Sequence, residues 1–363
     1  MKFSIEQAAI LKELAAGQSI SEKKQTIPIL GHTLLRAEGN GLKIVTTDLD
    51  LTLETEASTI ECESEGAATV ETKRLFELMK KVPEGEISFR LKDDRLIVSG
   101  AGFEYKLATC SPDSFPEIQR AKGEPFTLDA SDLAVAIEAT MYAITAEESR
   151  YALAGALLKI EGGNVRIVAT DGHRLALAEF NGPEGTFTAL IPKKAVNKLP
   201  ELCKQAQAIE VSLDSNRISF RAGHRLLSSR LLAGQFPNYE LVLLKGNDKL
   251  VRIEAELLAA ALKRVGLLAN KETGGVKFLI GRDRLKLSSQ SPDVGEAEET
   301  IVIDYKGESV EIGFNGNHLA QFLDAAQADA IEFSFKDHQS PGLFRPATGP
   351  AAIQYVVMPM RLL

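Results

Sequence analysis

The chain has 363 residues, 44% of them hydrophobic and 25% charged, with 42 Lys and Arg against 50 Asp and Glu for a formal net charge of −8. That length exceeds what one core normally serves, so two or three domains are expected. The composition is that of an ordinary globular protein, which excludes a disordered chain, and the acidic balance argues against a wholly basic nucleic-acid binder.

The opening "MKFSIEQAAI" turns acidic before an apolar run develops, and no stretch approaches the roughly 18 apolar residues of a membrane span. No membrane association and a cytoplasmic location are expected. Cys62, Cys110 and Cys203 lie far apart without a C-x-x-C pair. His32, His173, His224, His318 and His338 show no H-x-H or H-E-x-x-H spacing. Neither a disulfide framework nor a metal site is expected. No Gly-rich phosphate-binding string is present, so no nucleotide cofactor is expected.

Taken in order, the elements recur. "FSIEQAAILKEL" from Phe3 is a short alternating strand, a polar capping residue and an Ala/Leu-rich helix. "LKIVTTDLDLTL" from Leu42 is a second element. "TVETKRLFELMKKV" from Thr69 is a strand running into a second helix, and "ISFRL" from Ile87 alternates as a strand.

The same four return as "FTLDASDLAVAI" (Phe126), "VRIVATDGHRLAL" (Val165), "LIPKKAVNKLPEL" (Leu190) and "IEVSL" (Ile209). They return again as "VRIEAELLAAAL" (Val251), "LKLSSQSPDVGEA" (Leu285), "IGFNGNHLAQFLDAA" (Ile312) and "IEFSF" (Ile331). A fixed order at offsets of roughly 120 to 125 residues predicts three homologous domains, at 1–120, 126–243 and 248–363. Each is expected to be α+β, with two helices packed on antiparallel sheets. The linker "EIQRAKGEP" is polar, whereas "LVLL" within "NYELVLLKGNDK" is too apolar to be solvated throughout and is expected to pack on a neighbouring surface.

"VATDGHRLAL" sets Asp171, His173 and Arg174 around Gly172. A structural turn, a binding site and a catalytic pair remain open readings. The first repeat keeps Asp48 but has Leu49 and Asp50 where Gly172 and His173 stand, so the Asp is expected to bond turn backbone, with Gly-His-Arg particular to the second repeat.

With "TIPILGHTLL", "DSFPEI", "SRYALAGALL", "GQFPNY" and the terminal "YVVMPMRL", these stretches resemble the bacterial DNA polymerase III β subunit, the sliding clamp family. The resemblance implies a head-to-tail homodimer of three-domain protomers closing around double-stranded DNA without reading its sequence. It also implies no catalytic site, membership of a DNA-directed DNA polymerase complex, and peptide partners that include the polymerase III α subunit and the clamp loader δ subunit. By the resemblance, the peptide pocket comprises Leu153, Thr170, Gly172, His173, Arg174, Leu175, Pro237 and Val242, together with Val356, Val357, Met358, Pro359, Met360 and Arg361.

DNA contacts are implied at Lys24, Lys73, Arg74, Arg150, Tyr151, Lys193 and Lys194. The subunit contact is implied at Tyr105 and Leu107 on an edge strand of the first domain, and at Leu267 and Leu268 on a helix of the third. Glu240 and Leu241 stand where clamps often carry basic residues. The Gly/Pro-rich 340–352 segment makes Gly342 the candidate for closing the pocket. Two other readings are a clamp-like peptide adaptor that does not encircle DNA and a hydrolase using Asp171 and His173.

Overall fold

The computed structural model describes residues 1–21, 27–147, 149–243, 246–349 and 352–361. The chain forms two compact units, one of residues 1–127 with 205–231, the other of 128–204 with 232–363.

In the first unit one antiparallel sheet runs, strand by neighbouring strand, through Ala208–Leu213, Arg217–Ala222, Arg225–Arg230, Leu51–Ser58, Gly41–Thr47, His32–Glu38 and Gly66–Glu71. It continues through Phe103–Cys110, Arg95–Gly100, Glu86–Lys92, Lys2–Glu6 and Glu61–Ser64. Helix Gln7–Ser21 lies on this sheet through Ile10 and Leu14, one turn apart on the same face and fully buried. Gly17 permits the close approach, because a Cβ there would stand 2.6 Å from Thr46 Oγ1. Phe3 stacks on Phe89, with ring centroids 4.9 Å apart, at the centre of the core.

The second unit holds an eight-stranded sheet ordered Thr186–Pro192, Gly155–Glu161, Asn164–Thr170, Arg174–Asn181, Ala352–Val357, Gly342–Pro346, Ala330–Phe335 and Lys249–Glu254. It also holds a four-stranded sheet ordered Gly295–Val302, Arg284–Ser291, Gly275–Gly281 and Val310–Asn315. Asp129 caps helix Ala130–Glu138 by accepting from the Ser131 and Asp132 amides, and Asn315 does the same for Gly316–Ala326 through Asn317 and His318. The second helix of the middle repeat is not continuous: Lys193–Val196 and Leu199–Cys203 are separate. Pro200 is the reason, since it has no N–H to donate and its ring crowds the carbonyl of Val196.

The repeats are joined by one device used twice. Leu51–Ser58 of the first repeat pairs antiparallel with Arg225–Arg230, the last strand of the second. Arg174–Asn181, the equivalent of Leu51–Ser58, pairs with Ala352–Val357, the last strand of the third. The corresponding strand of the third repeat, Gly295–Val302, is an edge of its sheet among the described residues. The last strand of the first repeat, Phe103–Cys110, pairs along its length with Arg95–Gly100. Among the described residues its other side is paired only at Thr109 and Cys110, which leaves the Phe103–Ala108 portion without a strand partner there.

Candidate functional site

Asp171 closes a turn. Its Oδ1 accepts the amides of His173 (2.9 Å) and Arg174 (3.0 Å), and its Oδ2 accepts Arg174 Nε at 3.0 Å. Thr170 Oγ1 donates to the Arg174 carbonyl and accepts the Gly172 amide at 3.1 Å. Gly172 has φ +91°, a conformation that costs glycine little.

The first repeat reproduces the backbone bonds of the turn. Asp48 Oδ1 accepts from Asp50 and Leu51, and Thr47 Oγ1 bonds Leu51 O and Leu49 N. Leu49 carries the left-handed φ of 79° there. Asp171 is therefore a turn-forming residue whose two oxygens serve backbone and Arg174, an arrangement unlike that of a carboxylate orienting a catalytic imidazole.

Arg174 is buried and acts as a strut. Beyond Asp171 it donates to Gln321 Oε1 (2.6 Å) on helix Gly316–Ala326 and to the Tyr142 carbonyl (2.7 Å), and its guanidinium lies 5.4 Å from the Tyr142 ring centroid. His318, near the start of the same helix, has its pKa lowered to about 4. Burial is the main cause, and the Arg174 charge adds to it.

Beside this turn opens a pocket of about 360 Å³. Leu153 contributes from the turn Tyr151–Leu153, and Thr170, Gly172, His173, Arg174 and Leu175 from the Asp turn and its strands. Pro237, Tyr239, Leu241 and Val242 come from the segment after the middle repeat, and Pro341, Val356 and Met358 from the third repeat. Its apolar base is a cluster of Leu157, Val168, Leu175, Tyr239, Leu343 and Val356. The "LVLL" segment divides: Val242 and Leu243 pack on that cluster, Leu241 is 81% exposed, and Leu244 lies outside the described residues. Such a concavity suits apolar side chains presented by an extended segment, with His173 and Met358 at an adaptable rim.

The alternation of the terminal strand decides which tail residues take part. Val356 faces the pocket, so Val357 faces the other way and is buried at the pair with Arg174. The Met358 amide donates to His173 O, and the Met360 amide to Gly313 O at 2.8 Å, which draws the tail away. Val357, Pro359, Met360 and Arg361 are thus outside the lining. Gly342 does not close the pocket either: a Cβ on it would meet the Phe333, Phe314 and Phe344 rings at 2.8 to 3.3 Å, so it belongs to the core. Pro341 lines the pocket in its place. Tyr239 and Pro341 were not foreseen, although "FPNY" and "SPG" flanking apolar runs carried the signal.

Domain models of the DNA polymerase III β subunit match in order: the N-terminal domain over 1–119, the central domain over 127–238 and the C-terminal domain over 241–361. The chain belongs to the DNA polymerase III β subunit family. The β sliding clamp of Pseudomonas putida is 33% identical over 368 residues, and that of Escherichia coli K12 is 32% identical over 369, each covering all of both chains. Among solved structures, the Pseudomonas aeruginosa DnaN sliding clamp bound to griselimycin superposes with a TM-score of 0.96 at 32% identity. A Caulobacter crescentus β sliding clamp does so at 0.93 and 33%, both over the full chains.

The positions for which the resemblance implies DNA or subunit contacts fall as follows. Lys24 lies outside the described residues. Lys73 and Arg74 are exposed at the start of helix Thr72–Met79, where Arg74 pairs with Glu71. Tyr151 is 72% exposed, and neighbouring Arg150 donates to the Asp171 carbonyl and pairs with Glu147. Lys194 is exposed, whereas Lys193 is half-buried with its ammonium bonded to the Ile144 and Thr145 carbonyls.

Tyr105 is exposed on the open strand and Leu107 is half-buried. Leu267, 78% exposed, and Leu268 are not on a helix; they follow Ala255–Gly266 in a turn. Among the described residues no three His, Cys, Asp or Glu gather as metal ligands, and no helix is long and apolar enough to cross a membrane.

Proposed function

We propose that the chain acts as a DNA sliding clamp: a processivity factor without catalytic chemistry of its own, assembled head to tail as a homodimer around duplex DNA. The observation that carries this reading is the repeated joint. Two of three equivalent strand pairings are made inside the chain, and the third needs Phe103–Ala108 and Gly295–Val302, both of which have an open edge. A second copy supplies the missing partner for each, giving two identical heterologous contacts that close. Pairing would also cover edges that otherwise invite aggregation, with Tyr105, Leu107, Leu267 and Leu268 as its apolar contacts.

Lys24, Lys73, Arg74, Arg150, Tyr151 and Lys194 are proposed to meet the phosphate backbone, which suits sequence-blind contact that weakens with salt. Lys193 would hold the loop that carries Arg150 and Tyr151. The pocket beside Arg174 would receive apolar peptides from the polymerase α subunit, the loader δ subunit and other partners. Opening the ring would fall to a separate loader.

The test is retention on plasmid DNA after loading with purified loader. Wild type should stay on circular plasmid and be lost when it is linearised, and Tyr105→Glu with Leu267→Glu should abolish retention. Equal retention on linear and circular DNA would favour the non-encircling adaptor.

A further inference from the structure

Three donor strands and three acceptor edges of like architecture present an assembly problem, because each acceptor must take the correct donor. The joint inside the first unit carries a feature its copies lack. Glu13, on helix Gln7–Ser21, is buried beneath the sheet and accepts from Arg225 Nε at 2.9 Å, from an Arg225 terminal nitrogen at 3.0 Å and from Thr55 Oγ1 at 2.6 Å. His224 reaches the same carboxylate from the rim at 3.3 Å. Arg225 is itself buried at the start of the donor strand, 212 residues away in sequence.

The repeat identifies the matching positions. Aligning "FSIEQAAILKEL" with "FTLDASDLAVAI" and "VRIEAELLAAAL" puts Ala136 and Ala261 where Glu13 stands, both fully buried. Aligning "TTDLDLTLET" with "ATDGHRLALA" puts Ala178 where Thr55 stands. The strand registers place Ile353 opposite Ala178 at the second joint, and Phe103 and Ile353 in the place of Arg225 on the other two donor strands. The first joint therefore packs a carboxylate, a guanidinium and a hydroxyl where the second packs two alanines and an isoleucine.

We propose that Glu13 is the specificity residue of domain joining: it reserves the Leu51–Ser58 edge for the strand that begins with Arg225. A donor strand bearing Ile353 or Phe103 at that edge would seal the Glu13 carboxylate away from water without a cation, the arrangement a protein interior tolerates least. Discrimination thus comes from rejecting wrong partners, in the manner of one buried polar group fixing register in a coiled coil. The Glu13 contact lies within a single chain and holds however many copies assemble. Only the competition from a second copy's Phe103 strand rests on the dimer reading above.

The test compares wild type, Glu13→Ala and the double variant Glu13→Ala/Arg225→Ile, which writes two of the second joint's three residues into the first and keeps Thr55. Each full-length protein is unfolded in urea, diluted, and its oligomers counted by native mass spectrometry against the same protein never unfolded. Glu13→Ala should unfold at lower urea, because buried Arg225 loses the carboxylate that accepts from two of its nitrogens, and the double variant should recover most of that loss. Wild type should return to its starting species, while the double variant should yield several-fold more chains in other oligomers. A double variant that refolds to its starting species as faithfully as wild type would overturn the specificity role. One as destabilised as Glu13→Ala would overturn the equivalence of the two joints. Because each protein is compared with its own starting state, either result is readable whether that state is a dimer or a monomer.

Discussion

Replacing Arg174 separates a strut from a ligand contact. The side chain is buried and makes three charge-assisted bonds, to Asp171, Gln321 and the Tyr142 carbonyl. Removing one partner of a buried ion pair typically costs about 3–5 kcal/mol. Here Asp171 keeps two backbone donors and some solvent contact, so the lower end, about 3 kcal/mol, is expected for Arg174→Ala.

Since each 1.4 kcal/mol is tenfold, backbone amides pairing Arg174–Asn181 with Ala352–Val357 should exchange with deuterium roughly 100-fold faster where local opening governs exchange. Arg174→Met restores volume but no donors, and should recover only a minor part. Affinity for an apolar clamp-binding peptide should fall alongside, because Val356 and Leu175 sit on the loosened strands. If Arg174→Ala loses peptide affinity while exchange at this joint stays as in wild type, the strut assignment is wrong and the guanidinium meets the ligand directly.

Ending the chain after Val357 removes Met358, which is 45% exposed at the pocket rim, and should weaken peptide binding by roughly tenfold, measured by fluorescence anisotropy, with unfolding little changed. Ending it before Tyr355 is a different experiment, because Tyr355, Val356 and Val357 are buried and paired, and the joint itself would be lost. Acid should loosen the second unit. His318 is neutral in the fold with a pKa of about 4 against an ordinary 6.5, so the unfolded chain binds more protons between those values. The stability this contributes is complete above pH 6.5 and is lost as pH falls toward 4. Thermal unfolding across that window should show the slope, and His318→Gln should flatten it.

What the sequence revealed and what it hid divide along the range of the interactions. The three-domain α+β plan and the Asp turn were legible because their causes are local: capping residues, alternation, and a carboxylate two and three residues from the amides it accepts. The break at Pro200 has an equally local cause, yet "LIPKKAVNKLPEL" reads as a strand running into one helix until the missing Pro200 N–H is counted. The pocket was half legible through resemblance, but a resemblance transfers positions and not the phase of a strand, so Val357 was grouped with Val356 although alternation sends them to opposite faces. Pro341 and Gly342 exchange roles for a similar reason: three phenylalanine rings gathered from distant segments leave no space for a side chain at 342.

Glu13 is the instructive case. It sits three residues from Ile10 on the face that buries Ile10 and Leu14, in a chain that writes alanine at the same place in both other copies. A charge at a position its own repeats fill with a methyl group already signals a buried partner. The identity of that partner, 212 residues on, depends on which strand completes which sheet, and no window along the chain contains both residues. Internal repeats thus serve as an alignment within one molecule: agreement among copies marks what the fold requires, and a lone departure such as Glu13 marks where one joint must differ from the others.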